Sequence, residues 1–376
     1  MEKTIKVAQI IGKLYGGGVE KVIFNYYRAI DKSKVQFDFF YDADSTVTPP
    51  EDLIDMGTKF YKLPPYQKLW LYAPKLYKIL KNNHYDIVHS NLNTISVFPL
   101  LIAKIARIPI RIAHNHSVPS TNEGLRTVLK YSLRPYTKII ANHYFACSEK
   151  AGRWLFGDKL YNQGKVKFIP NAVFFEKFNT KDVDSLRSEL GISNDEFVVG
   201  HVGRLTFAKN HSLLLKIFKD ILKVKKNAKL IIVGDGELSA EINNLIDQMG
   251  LRSKVIMIGH TDNPEKYYSL MKVFILPSYF EGLSMATIEA EISKIPVVVS
   301  QAVPEEANIS NNFYQLSLDE DTELWAKTAI MAAQKTTVIN SKGQIYDIKK
   351  AAPKLLNLYQ RIIKNSKMKL ENPELR

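Results

Sequence analysis

Residues 273–292 read VFILPSYFEGLSMATIEAEI. The run Val273–Leu276 is apolar and β-rich, as a buried strand requires. Proline, serine and glycine then break the pattern, and from Met285 to Ile292 the sequence reads as a helix. A strand, a short loop and a helix in that order make half of a parallel βαβ unit. Working outward, the same alternation fills the chain. Strands are predicted at Lys6–Ile11, Gln36–Tyr41, Ile87–Ser90, Arg111–His114, Tyr144–Ala146, Val166–Ile169, Val198–Val202, Leu230–Val233, Val255–Ile258 and Val297–Ser300. Helices are predicted at Val19–Ala29, Thr94–Ala106, His211–Val224, Glu237–Met249 and Pro264–Leu270. Alternation of this kind implies parallel sheets covered on both faces. The pattern restarts near residue 198 after the polar stretch 179–196, so two doubly wound α/β domains are expected, at 1–177 and 178–354. A basic tail broken by Pro353 supplies a last helix at about 355–376, expected to pack back on the first domain. Ligands of such sheets bind beyond the carboxyl ends of the strands, and two facing domains would form a cleft lined by both sets of strand ends.

The chain has 376 residues and one cysteine, Cys147. A lone cysteine excludes an internal disulfide and a cysteine-cluster zinc site. No run reaches the length of a membrane span, and the apolar run near the start is short and interrupted by Gly16-Gly17-Gly18, so a cytoplasmic location is expected. Lys and Arg number 52 against 38 Asp and Glu, a net +14. Residues 59–170 alone hold 18 basic against 4 acidic side chains, the same excess of 14. Within them, 66–81 (YQKLWLYAPKLYKILK) interleaves leucines and aromatics with lysines, and Arg126, Lys130 and Arg134 recur along one helix side. That texture suits an anionic membrane surface, although each stretch by itself also suits a solvated helix face. No helix-turn-helix, zinc-finger or aromatic RNA-binding signature accompanies the charge, so nucleic acid is not the expected partner.

Chemistry is sought at strand ends. Gly16-Gly17-Gly18 precedes a helix and could bring amides to an anion, although the spacing is neither a dinucleotide fingerprint nor a Walker loop. Arg204 and Lys209 follow a strand, where an arginine fork and a lysine point charge can neutralise a diphosphate, although as an isolated basic pair they also suit ion pairs with carboxylates of a neighbouring element. Glu281 falls in the loop after Leu276, and Glu289 lies inside the next helix, about two turns later. Gly282, Leu283 and Ser284 place amides at that helix start. His89 and Asn91, and His114 and His116, sit at two strand ends of the first half. The histidines lack the neighbouring carboxylate or thiolate that would complete a metal site, so no metal is expected.

Taken together, Gly16-Gly-Gly-Val-Glu20, His116, Ile169-Pro-Asn-Ala-Val173, Gly203-Arg204 with Lys209, Val233-Gly-Asp-Gly236 and Pro277-Ser through Glu289 resemble the retaining glycosyltransferases of family four. The likeness spans essentially the whole chain, and Arg111-Ile-Ala-His-Asn-His-Ser117 and Pro304-Glu-Glu-Ala-Asn308 are similar to bacterial capsule and exopolysaccharide enzymes. Two positions depart from the family pattern: Ser117 where many members have aspartate, and Lys294 where glycine is common. The resemblance implies the glycosyltransferase-B fold and transfer of a hexosyl or N-acetylhexosaminyl group, with retention, from a nucleotide sugar, UDP-linked, to a lipid-linked saccharide. It implies no cofactor and no metal, with Arg204 and Lys209 on the diphosphate assisted by amides near Gly17, Leu283 and Ser284. It further implies Glu289 on the ribose, Gly259 and His260 near the base, and Glu281 and His116 at the transferred sugar. His89, Asn91 and His114 remain as acceptor contacts. A nucleotide-sugar epimerase of the same fold and a basic nucleic-acid binder are the alternatives, and oligomeric state is silent.

Overall fold

A computed structural model describes residues 3–117, 125–178, 183–261 and 263–371. The chain forms two compact units, Met1–Val173 with Ile345–Arg376, and Phe174–Gln344. The first carries a seven-stranded sheet of β1 (Ile5–Gly12), β2 (Val35–Asp42), β3 (Phe60–Leu63), β4 (Ile87–Ser90), β5 (Ile110–Asn115), β6 (His143–Ala146) and β7 (Val166–Phe168). Their spatial order is β3-β2-β1-β4-β5-β6-β7, and every neighbouring pair is parallel. The second carries β8 (Phe197–Val202), β9 (Ala228–Val233), β10 (Val255–Gly259), β11 (Val273–Leu276), β12 (Val297–Ser300) and β13 (Phe313–Leu316) in the order β10-β9-β8-β11-β12-β13. Each sheet therefore reverses its winding beside its first strand, between β1 and β4 and between β8 and β11. Both units are Rossmann-like, and this reversal is where such sheets bind ligands.

The strands form because their residues bury both faces. Val273–Leu276 and Val297–Val299 are fully buried, each such side chain contributing about 1.5–3 kcal/mol. Two strands escape the sequence reading, β3 and β13. Both are four residues long, lie at sheet edges and are only half-buried. An edge strand needs no continuous apolar run, so the pattern that exposes the central strands is missing.

The junctions also differ from expectation. The units divide at Val173 and Gln344 instead of 177 and 354. The reason is a backbone clasp: Val173 N–H donates to the Tyr346 carbonyl and Ile348 N–H to the Val173 carbonyl, both at 2.9 Å. Pro353 does not break the tail, because the helix runs unbroken from Ile348 to Glu371. Pro353 is exposed in the second turn, where a missing amide bond can be made good by water. This helix packs on the helix Gly18–Ala29 of its own unit; residues 372–376 lie outside the described residues, as does the side chain of Arg126.

Candidate active site

In the second unit β8 ends at Val202, and the chain turns through Gly203 and Arg204 toward Lys209. Glycines set the geometry of the neighbouring loop. A Cβ on Gly234 (φ +133°) would lie 2.1 Å from the Gly203 carbonyl oxygen, and one on Gly236 would lie 2.4 Å from that of Leu205. The Val233–Gly236 loop can therefore press against the Gly203–Leu205 turn only as backbone on backbone. Leu205 N–H closes the contact on the Asp235 carbonyl at 3.0 Å. From β11, Tyr279 N–H reaches the Ala208 carbonyl at 2.8 Å. The rings of Phe207 and Tyr279 stack at 4.9 Å, fixing the two loops to each other.

That arrangement brings Lys209 and Glu281 into contact, 72 residues apart in sequence. Lys209 Nζ donates to Glu281 Oε1 at 2.6 Å, and Ser278 Oγ donates to the same oxygen at 2.8 Å. The side chains are 18% and 9% exposed, so the pair is held at the margin of solvent with its charges largely desolvated. Ser278 is itself anchored, its carbonyl accepting from Ser300 Oγ at 2.6 Å. Arg204 is placed differently. Its guanidinium is 3.4 Å from Glu237, and both side chains are exposed. Such a pair is weak and exchangeable. Glu289 turns toward Tyr268, whose hydroxyl donates to Glu289 Oε2 at 2.9 Å. Tyr268 is fully buried, and burial beside that carboxylate holds the phenol far above its ordinary range, so it stays a donor.

Ser284 caps the helix Met285–Ile292, accepting from Thr287 N–H at 3.4 Å and from Thr287 Oγ1–H at 2.9 Å. Leu283 and Ser284 are buried, while Gly282 is half-buried. Gly259 closes β10, its carbonyl accepting from Gly234 N–H at 2.9 Å, and His260 is exposed just beyond. Beneath Lys209 lie two histidines that the sequence reading passed over. His201 donates from Nδ1 to the Ile275 carbonyl at 3.0 Å, and burial holds it neutral. His211 stays neutral for the same reason, its pKa pushed down to about 4.

In the first unit the strand ends of β1, β4 and β5 carry a polar cluster. His89, Asn91, His114 and His116 are all buried, at 3–6% exposure. His89 and His114 stack with centroids 5.2 Å apart, and His114 and His116 lie 3.9 Å apart. Burial and mutual repulsion push His89 down to about 3, burial pushes His116 down to about 4, and His114 is held well below the ordinary histidine value. All three are neutral imidazoles. Cys147, also buried, donates from Sγ to the His116 carbonyl at 3.3 Å. Gly16 and Gly17 lead into the helix at Gly18, and Glu20 folds back to accept from Tyr15 N–H at 2.9 Å. The loop thus carries its own carboxylate at the positive end of the helix. Among the described residues no group of three His, Cys, Asp or Glu is disposed to hold a metal ion.

Tyr268 and Glu237 went unnoticed in the sequence, and Ser278 was quoted within the Pro277–Glu289 motif without a role. Ser278 stands three residues before Glu281, a spacing that could have suggested it. Nothing local points to Tyr268 or Glu237.

Two family models match the chain: Glycosyltransferase Family 4 over residues 16–177 and Glycosyl transferases group 1 over residues 182–328. The chain belongs to glycosyltransferase family four and has the glycosyltransferase-B fold. Its relatives include EpsF of Bacillus subtilis, 29% identical over 94% of this chain and 96% of that one. The capsular polysaccharide biosynthesis glycosyltransferase CapH of Staphylococcus aureus is 24% identical over 94% of this chain and 98% of its own. Among solved structures, Anabaena HepE in complex with UDP and glucose superposes with a TM-score of 0.77 at 21% identity, covering 95% of this chain and 99% of that one.

Proposed function

We propose that this glycosyltransferase moves a sugar, with retention and without a metal ion, from a UDP-sugar to a lipid-linked saccharide in capsule or exopolysaccharide synthesis. The observation that carries the reading is the Lys209–Glu281–Ser278 contact beside the β8/β11 reversal. As the sugar–phosphate bond breaks, negative charge grows on the departing diphosphate and positive character on the anomeric carbon. Lys209 and Arg204 stabilise the first, and a cation aimed at developing charge accelerates the reaction because it binds the transition state more tightly than the ground state. Without a donor, Lys209 is balanced by Glu281. With one, the diphosphate takes over Lys209, and Glu281 turns to hydroxyls of the sugar. Arg204 leaves its exposed partner at little cost. Glu289, steadied by Tyr268, accepts from the ribose hydroxyls. A phosphate oxygen of the donor takes the acceptor's proton as the new bond forms on the face the diphosphate leaves.

The lipid-linked acceptor calls for a membrane surface, and the first unit offers a matching one. The helices Leu69–Asn83, Val97–Ile105 and Leu125–Ile140 pack side by side and contain no acidic residue. Their outer faces expose Trp70 (71%), Ile105 (62%), Val128 (66%) and Ile139 (71%), with Tyr77, Tyr131 and Tyr136 among lysines 75, 78 and 104. Aromatic and aliphatic side chains set among cations suit the headgroup layer of an anionic membrane. We place this contact at the periphery of the membrane's cytoplasmic face; no described helix is long and apolar enough to cross a membrane.

The test is transfer from a panel of UDP-sugars to polyprenyl-diphosphate-linked saccharides by Lys209→Ala and Glu281→Gln. Loss of one aligned charge-stabilising group lowers kcat by about 10²–10³, with circular dichroism unchanged. Full turnover in both variants would remove the assignment.

A further inference from the structure

Neither donor binding nor membrane contact uses the basic tail. Residues 348–370 carry seven Lys and Arg and no Asp or Glu, and they fold into the helix Ile348–Glu371. Cations in the last turn of a helix answer its dipole, but Lys354 and Arg361 stand well before that turn. Lys354, Arg361, Lys364 and Lys367 line one cleft of about 960 Å³. The rest of its wall includes Lys3, Ile5 and Lys34, at the amino ends of β1 and β2.

Every strand of this sheet is parallel to its neighbours, so the cleft lies at the edge opposite the strand ends that carry His89, Asn91 and His116. Its ligand is therefore not one of the substrates that bind beyond the carboxyl ends. Among the described residues no carboxylate lines the cleft, and its four helix cations form no ion pair. Lys3 and Lys34 are 73% and 56% exposed, with Asp86 at 3.4 Å and Asp31 at 3.3 Å; such pairs exchange at little cost. Six cations around one hollow repel one another, and an anion relieves that repulsion. The helix is anchored from its other side, where Tyr359 is fully buried with its Oη 2.7 Å from His89 Nδ1. The cations are thus displayed on a fixed frame, which lowers the ordering cost of binding.

We propose that the cleft is a binding site for a soluble ligand carrying several phosphate groups, separate from the nucleotide-sugar site. Its volume is that of a small-molecule site, about 300–1,000 Å³, and its concave form does not suit a flat bilayer. The cations run from Lys354 to Lys367, about 20 Å at 1.5 Å per residue. Arg361, Lys364 and Lys367 recur every third residue, about 4.5 Å apart along the axis. Carboxylates on one side of an extended peptide stand farther apart, at about 6.6 Å, whereas phosphates joined through one bridging oxygen are packed more densely than either. Arg361 offers a planar fork that grips two phosphate oxygens at once, and the lysines add point charges that need no fixed geometry. Occupancy of this cleft does not depend on sugar transfer.

The test is calorimetric titration of sodium tripolyphosphate into the full chain carrying Arg204→Ala and Lys209→Ala, so that the donor site contributes little. Binding is expected, and Arg361→Glu with Lys364→Glu should weaken it at least about tenfold, because two attractions become repulsions. No binding, or binding that survives the double reversal, overturns the proposal. Hexaglutamate is expected to bind more weakly than tripolyphosphate; tighter binding would make an acidic peptide the occupant and overturn the phosphate assignment. Cosedimentation with vesicles containing phosphatidylglycerol should be unmoved by the two reversals. A loss there as large as the loss for tripolyphosphate would make the cleft part of the membrane surface, against the proposal. A second readout needs no substitution in the cleft: tripolyphosphate should shield Lys354, Lys364 and Lys367 from acetylation by acetic anhydride, read by mass spectrometry, while lysines 75, 78 and 104 react as before. Equal shielding of all of them marks an unselective ion atmosphere and also overturns it. No donor sugar enters these measurements, so their outcome is separate from that of the transfer assay.

Discussion

Acidification from pH 7.5 to 5.5 should weaken the two units unequally, because their buried titratable groups differ. The first unit buries His89, His114 and His116 as neutral rings with depressed pKa values. In the unfolded chain each titrates near 6.5. A depressed histidine makes the unfolded state bind more protons below 6.5, so stability falls as pH drops from that value toward the native pKa. Over this interval a histidine that stays neutral in the native state contributes a loss of about 1.4 kcal/mol. Asp42 opposes them. Burial and the neighbouring Asp44 raise it to about 6, and a raised carboxyl gains stability as pH falls through its native pKa, here about 0.8 kcal/mol. The first unit should lose roughly 3 kcal/mol. The second unit buries two such histidines, His201 and His211, worth a loss of about 2.7 kcal/mol by the same reasoning. Against them stands Glu291, fully buried and raised to about 8 by desolvation. Protonating it further between pH 7.5 and 5.5 returns about 2.6 kcal/mol, so the second unit should hardly change. Denaturant titrations can separate the units through tryptophan. Trp70 and Trp154 report the first, and Trp325, fully buried, reports the second once the other two are phenylalanine. Glu291→Gln should then make the second unit as acid-sensitive as its two histidines dictate. Equal losses in both units, or a first unit indifferent to pH, would refute the reasoning.

Other outcomes follow from single contacts. Tyr268→Phe removes the donor to Glu289 and should raise KM for the nucleotide sugar about tenfold with kcat little changed, since hydrogen bonds to charged groups are worth about 1.5–3 kcal/mol; an unmoved KM would detach Glu289 from donor binding. Trp70→Glu with Ile139→Glu should lower cosedimentation with vesicles containing phosphatidylglycerol by at least about tenfold, and added salt should weaken the native protein's binding in the same assay. Unchanged binding would move the membrane surface elsewhere.

The sequence by itself determined the fold. Its central strands are buried on both faces, so they appear as continuous apolar runs between turn residues, and eleven of the thirteen strands among the described residues were legible on that ground. The edge strands Phe60–Leu63 and Phe313–Leu316 were not, because half-burial leaves no such run. Strand-end chemistry was also legible in kind. Lys209 and Glu281 stood out because charged residues in the loops after buried strands can meet a ligand there, although an ion pair between neighbouring elements suits the same positions, and the structure does pair them. Tertiary structure alone decided the pairings: Lys209 with Glu281, Arg204 with Glu237, Tyr268 with Glu289 and Tyr359 with His89. Hydrogen bonds and ion pairs act over a few ångströms of space, and the parallel crossovers bring together strand ends that lie far apart along the chain.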